Sequence, residues 1–161
     1  MPSKLITIFA VVIAFTVTSC GLIPSQAKSS IDAVNVDETR TAIKGYDPVA
    51  YFTESKPVQG DKQFSAEHNG AVYYFASAKH QSLFKGNPDK YAPQYGGYCA
   101  FGVSKEKKFD TDPTAWAIVD DKLYLNLNAK VQSRWVLNKE ELISDANDIW
   151  TDIENTPASE L

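Results

Sequence analysis

The chain has few of the side chains that bind metals or form cross-links. Its 161 residues include two cysteines, two histidines and one methionine. If Cys20 is acylated, as argued below, Cys99 is left alone and no intrachain disulfide can form. The sequence also lacks a cluster of lysines and arginines, and its formal net charge is −4. We therefore expect no nucleic-acid partner, because proteins that bind nucleic acid concentrate basic residues on one face.

The apolar run at the N-terminus is too short to cross a bilayer comfortably. Lys4 supplies a positive charge, and residues 5–17 are apolar apart from two threonines, whereas a spanning helix needs roughly 20 apolar residues. Val17-Thr18-Ser19-Cys20 resembles the lipobox of bacterial lipoproteins, whose cysteine becomes the acylated N-terminus. The pattern predicts a signal peptide over residues 1–19 and a lipid on Cys20. A secretory signal cleaved elsewhere, or an uncleaved anchor, is the alternative.

The expected location follows from the residue after the lipobox. Gly21 stands where inner-membrane retention signals usually carry aspartate, so we expect a lipid-anchored envelope protein, at the outer membrane and facing the periplasm if the cell is Gram-negative. Residues 20–161 number 142, and the loss of Lys4 leaves 15 basic against 20 acidic residues, a formal charge of −5. That length suits one domain with a tether. We expect a flexible tether over 20–41, a domain over 42–153, a tail over 154–161 and no internal repeat.

Hairpin signals alternate with helix signals in the first half of the domain. Asp47-Pro48 is typical of a helix start. Asn69-Gly70 predicts a tight turn between strands over 64–68 and 71–75. Ser77 predicts the N-cap of a helix that ends near residue 85.

The second half repeats this alternation with weaker signals. Residues 98–103 are expected to form a strand or an extended loop, and strands over 116–119 and 123–125 predict a second hairpin. Asn128 predicts a helix start, and Asn138 with Glu141 resembles a capping box. The whole pattern predicts an α+β fold, a small single domain of short antiparallel hairpins with packed helices.

Several segments resemble the YHS domain family, in particular its exported, lipoprotein-like branch. They are GYDPVAYF at 45–52, HNGAVYYF at 68–75, NPDKY at 87–91, QYGGYCA at 94–100 and residues 116–126. The resemblance covers roughly residues 42–150 and implies a YHS/TRASH-like fold. Metal-handling relatives of that fold carry cysteines at positions that hold Ala50, Ala76 and His80 here. Of these three residues, His80 alone can coordinate a metal.

His68, His80 and Cys99 are the candidate metal ligands of the domain. Imidazole and thiolate together suit copper or zinc, and the fold would have to bring the three side chains together, since their spacing matches no local metal motif. The alternative is that His68 lies in solvent at a hairpin and His80 is a hydrogen-bonded, partly buried residue. Cys99 is also weighed as a nucleophile, with backbone amides of Gly96-Gly97 as oxyanion donors, against a buried thiol beside a tight turn.

Tyrosines offer a second kind of candidate site. Seven tyrosines have amphipathic rings that suit a small-ligand pocket, although such rings also fill the cores of small domains. They are Tyr46, Tyr51, Tyr73, Tyr74, Tyr91, Tyr95 and Tyr98, of which Tyr46, Tyr74 and Tyr98 are the predicted pocket residues. The sequence carries no paired catalytic acids, phosphate loop or nucleophile elbow. We therefore expect a non-enzymatic protein that binds a small ligand or a transition metal, copper or zinc. The alternative is a structural or protein-interaction module of the envelope with no ligand and an unidentified protein partner.

Overall fold

A computed structural model describes residues 32–161. The predicted signal peptide, Cys20 and residues 20–31 of the predicted tether lie outside the described residues. Strands β1 (Asp61–His68) and β2 (Ala71–Phe75) form one antiparallel sheet, and β3 (Asp112–Val119) and β4 (Lys122–Asn126) form another. The helices are α1 (Ala50–Thr53), α2 (Ala78–Gly86), α3 (Pro88–Tyr91), α4 (Ala100–Val103), α5 (Ala129–Leu137) and α6 (Lys139–Ile153). The α+β prediction is confirmed.

The first hairpin and its helix follow the local chemistry of the sequence. Asn69 and Gly70 have φ values of 48° and 78°, the left-handed pair that a tight two-residue turn requires. The side chain of Ser77 then accepts a hydrogen bond of 3.2 Å from the backbone N–H of His80. That bond satisfies one of the free amides at the start of α2 and confirms the predicted N-cap.

Two local predictions in the second half are wrong. Residues 100–103 form the short helix α4, where a strand or an extended loop was expected. Asn138 makes no side-chain cap bond at α6, because it also ends α5 and its φ and ψ of −133° and 34° are not those of an N-cap. The predicted cap at Asn128 is confirmed, since its side chain accepts the Val131 N–H at 3.0 Å.

The two hairpin–helix units are copies of each other, shifted by 51 residues. Strands β1 and β3 begin at residues 61 and 112, β2 and β4 at 71 and 122, and helices α2 and α5 at 78 and 129. The register shift also recurs, between Asp61 and Ser65 in one sheet and between Asp112 and Trp116 in the other. The expectation of no internal repeat is therefore wrong.

The copies share side-chain contacts as well as backbone. Gln81 Nε2 donates to the carbonyl of Ser65, and Gln132 Nε2 donates to the carbonyl of Trp116. Residues 73–84 and 124–135 are identical at five of twelve aligned positions, Tyr73, Ala78, Lys79, Gln81 and Ser82 in the first copy. The match is too sparse to stand out in the sequence until the structure supplies the alignment.

The repeat extends upstream to a left-handed turn before each hairpin. Residues 43–45 have φ values of 51°, 51° and 81°, and residues 95–97 have 54°, 59° and 83°. After the turns, the N–H of Asp47 donates to Val58 O at 2.8 Å, and the N–H of Cys99 donates to Phe109 O at 3.0 Å. Asp47 and Cys99 therefore occupy equivalent positions in the two copies.

Two hydrophobic clusters form the core, and the second copy contributes side chains to both of them. The first cluster holds Tyr51, Tyr73, Phe75 and Phe84 of the first copy, with Leu123 and Leu125 of the second. The other gathers Tyr124 and Trp135 with residues of α6. Val34 is buried in the first cluster, so the packed part of the chain begins before the predicted boundary at residue 42.

Candidate functional site

A buried polar contact joins Asp47 and His80. His80 Nδ1 lies 2.6 Å from Asp47 Oδ2, and Asp47 is fully buried while His80 is 8% exposed. The same carboxylate accepts the N–H of Val49 and the N–H of Ala76, each at 2.8 Å. Asp47 thus ties α1, the end of β2 and α2 together. The sequence indicated only its role at the start of a helix.

Thr53 extends this pair toward solvent. Its hydroxyl lies 3.3 Å from His80 Nε2 and 3.1 Å from the carbonyl of Val49, and the residue is exposed. The hydroxyl has a single hydrogen, which it donates to the Val49 carbonyl. Contacts at both ring nitrogens, one with Asp47 and one with Thr53, orient the His80 imidazole.

Cys99 makes the equivalent backbone contact in the second copy, with a thiol in place of a carboxylate. Its sulfur accepts the N–H of Leu127 at 3.3 Å, just as Asp47 accepts the N–H of Ala76 in the first copy. The residue aligned with His80 is Val131, so the second copy has no imidazole there. The fold therefore requires only a hydrogen-bond acceptor at this position. The additional contact of Asp47 with His80 in the first copy is not part of that requirement.

The surroundings of Cys99 favour an unreactive thiol. Cys99 is 1% exposed, and its burial raises the pKa of the thiol above the usual value, against smaller lowering effects of hydrogen bonds from the backbone of Gly102, Leu127 and Phe101. Its sulfur also lies 3.8 Å from Asn126 Oδ1, and Asn126 Nδ2 is buried with no hydrogen-bond partner among the described residues. A protonated, buried thiol is a poor nucleophile.

His68 lies at the edge of an open groove of about 600 Å³, hereafter the groove. Its Nε2 is 3.2 Å from Asp89 Oδ1 and 3.0 Å from Asn69 Nδ2. Both neighbours also line the groove, as do Trp150, Glu154 and Asn155. Polar groups that converge beside an aromatic wall are typical of sites for small ligands.

The structure does not gather the three predicted metal ligands into one site. His68 lines the groove, His80 binds Asp47, and Cys99 is buried beside Asn126. Within residues 32–161, no group of three or more His, Cys, Asp or Glu side chains is placed to hold a metal ion. His68 and Asp89 are the pair that comes closest to a metal-binding arrangement in the groove.

The three predicted ligand-pocket tyrosines lie elsewhere. Tyr46 packs against the first core cluster, Tyr74 is half-buried, and Tyr98 is 9% exposed within the second cluster. None of them lines the groove, whose tyrosines are Tyr73 and Tyr95. Which of the eight tyrosines line the groove depends on the fold and could not be read from the chemistry of the rings.

Comparisons with protein-family models, curated proteins and solved structures found no match. No helix within residues 32–161 is both long and apolar enough to span a membrane.

Proposed function

We propose that the protein is a lipid-anchored envelope domain of the YHS kind that binds a small polar ligand without chemical conversion. The groove is the single observation that carries this proposal. Its volume of about 600 Å³ lies within the range typical of small-molecule sites, about 300–1,000 Å³. Hydrogen-bonding groups from His68, Asn69 and Asp89 face it together with the ring of Trp150.

The His68–Asp89 contact is the anchor of the proposed site. Its 3.2 Å separation joins a side chain at the end of β1 to one at the start of α3. Asp89 is 87% exposed on its side chain, so it can exchange this partner for a ligand at little cost to the fold. An imidazole and a carboxylate together donate to, or accept from, hydroxyl and amine groups.

Copper or zinc is the second candidate ligand, and the same contact favours it. Imidazole nitrogen and carboxylate oxygen are both zinc ligands, and His68 and Asp89 would supply two of the four that a tetrahedral site needs. Water or a small anion would complete the coordination. His80 and Cys99 take no part in this version of the site.

Release of the protein from its own envelope, without an affinity tag, tests both ligands at once. Native mass spectrometry should show a small-molecule adduct, and elemental analysis should show whether stoichiometric copper or zinc accompanies it. His68→Ala and Asp89→Ala should remove the adduct or the metal, while Asp148→Ala, an exposed acid on α6, should leave it in place. A wild-type preparation free of both would favour the structural or protein-interaction module.

The membrane anchor is tested separately. Cys20→Ser should shift the protein from the detergent phase to the aqueous phase in Triton X-114 partitioning, because a thioether-linked lipid supplies most of the membrane affinity. Retention of the variant in the detergent phase would contradict acylation at Cys20 and favour an uncleaved anchor. Groove occupancy does not enter this measurement.

A further inference from the structure

Lys108 is a buried cation that binds both ends of the described chain. Its Nζ donates to the carbonyl oxygens of Asp32 at 2.7 Å, Glu154 at 2.8 Å and Thr156 at 2.7 Å. The residue is 5% exposed. An ammonium group has three hydrogens to donate, and each has a backbone carbonyl here.

Two aromatic rings also lie close to this ammonium. Nζ lies 5.1 Å from the ring centroid of Tyr98 and 5.2 Å from that of Trp150. Aromatic faces attract cations most strongly where water is excluded. Carbonyl dipoles and ring faces both favour a positive charge, and the three carbonyls suit a group with several N–H donors.

The carbonyls that Lys108 binds are next to the residues that form one wall of the groove. Ala33 and Val34 follow Asp32, and Glu154 and Asn155 precede Thr156. Trp150, whose ring contacts the ammonium, lines the groove as well. Residues from both sides of the sequence therefore line the groove near Lys108: Ala33 and Val34 from the start of the described chain, and Trp150, Glu154 and Asn155 from α6 and the segment after it.

The segment that begins at Asp32 also contacts Gly96, another residue that lines the groove. The N–H of Asn35 donates to Gly96 O at 2.9 Å, and a Cβ on Gly96 would lie 1.8 Å from Ala33 O. Gly96 has a φ of 59°, so both its conformation and its close contact require glycine. Ala33 therefore packs directly against the backbone of Gly96, so a movement of residues 32–35 would change the lining of the groove.

We infer that Lys108 is the positioning residue of the groove: its ammonium holds the two chain ends together and thereby forms the wall against which the ligand of the proposed function binds. The inference rests on that proposed function for the ligand, but the closure of the wall can be measured without one. Lys108 itself does not line the groove, so its effect is exerted through residues 33–34 and 150–155.

Hydrogen exchange of the full chain tests the closure directly. Lys108→Met keeps an unbranched side chain that is one atom shorter and removes the charge, and it leaves three carbonyls without this donor. The amides of Asn35, Glu154 and Thr156 should then exchange about ten-fold faster or more, while amides of the β1–β2 hairpin keep their protection. Lys107→Met, at the exposed neighbour, is the matched control and should change neither set.

Chemical rescue separates the charge from general packing. In Lys108→Ala, propylammonium should restore the slow exchange of the three amides, whereas 1-propanol, similar in shape but uncharged, should not. Equal acceleration in the hairpin amides, or exchange at the chain ends that does not differ from wild type, would overturn the inference. Loss of the native-mass adduct in Lys108→Met would support it further; an adduct retained with both ends loosened would overturn the link to the ligand and leave the proposed function standing.

Discussion

At the scale of single residues, burial decides the chemistry of Cys99 more than its identity does. The thiol is 1% exposed and its pKa is raised by that burial. In the folded protein, 5,5′-dithiobis(2-nitrobenzoate) should therefore label Cys99 at least about a hundred-fold more slowly than in urea, since labelling requires both access and a thiolate. The Cys20→Ser variant gives a single reporter thiol. Rapid labelling of the native protein would contradict the buried position and support the hypothesis that Cys99 is a nucleophile.

Asp110 carries a charge that matters to the N-terminal segment. Burial alone would raise the pKa of its carboxyl, but hydrogen bonds from Lys44, Asn35 and the Thr111 N–H outweigh it and hold the pKa below the ordinary 3.8. A carboxyl whose folded-state pKa is lowered stabilises the fold above the unfolded-state pKa, and the effect disappears as pH falls through the folded-state pKa.

The Asp110 contribution should be visible as a difference between two acid titrations. Wild type should lose melting temperature between about pH 5 and pH 2 more steeply than Asp110→Asn, whose amide does not titrate. The difference should be small, because the Asp110 side chain is 62% exposed and solvent screens its ion pair with Lys44. Parallel curves for the two proteins would show that Asp110 does not contribute.

At the scale of elements, the two hairpins differ in the quality of their turns. Asn69-Gly70 suits its left-handed conformation, whereas Asp120 and Asp121 adopt φ values of 49° and 57° without a glycine. A left-handed conformation costs a non-glycine residue roughly 1 kcal/mol. Asp121→Gly should therefore raise the free energy of unfolding by about 0.5–1 kcal/mol, as measured in urea. Gly70→Asp, its counterpart, should lower it by a similar amount; equal stability of all three proteins would contradict the argument.

Elements with a strong local signal were predictable, and contacts between distant elements were not. Ser77 and Asn69-Gly70 act on neighbours three residues away or fewer, so the first hairpin and α2 could be predicted from sequence. Asp47 meets His80 across 33 positions, and Lys108 meets Asp32 across 76. Such contacts depend on how the elements pack, and the spacing of residues in the sequence does not reveal this packing.

At the scale of the whole molecule, the 51-residue repeat allows equivalent positions in the two copies to be compared directly. The first copy places a carboxylate where the second places a thiol, and both accept the backbone N–H that follows the hairpin. The copies differ in the neighbouring side chain. His80 contacts the carboxylate in the first copy, and Val131 is the aligned residue in the second. We therefore expect that a thiol can replace the carboxylate at position 47 at a moderate cost in stability, whereas a carboxylate at position 99 costs more.

Asp47→Cys should fold, because a sulfur can accept the Ala76 N–H as Cys99 accepts that of Leu127. We expect a loss of about 1–3 kcal/mol in the free energy of unfolding from the weaker contact with His80. The new thiol beside an imidazole should also be alkylated faster than Cys99.

Cys99→Asp buries a carboxylate with no imidazole to pair it, so it should lower the free energy of unfolding further, by about 3 kcal/mol or more. Urea titrations measure both changes. If Cys99→Asp proved the milder substitution, the two positions would not be equivalent in their surroundings, and His80 would lose its assigned role as the partner that makes a buried carboxylate acceptable.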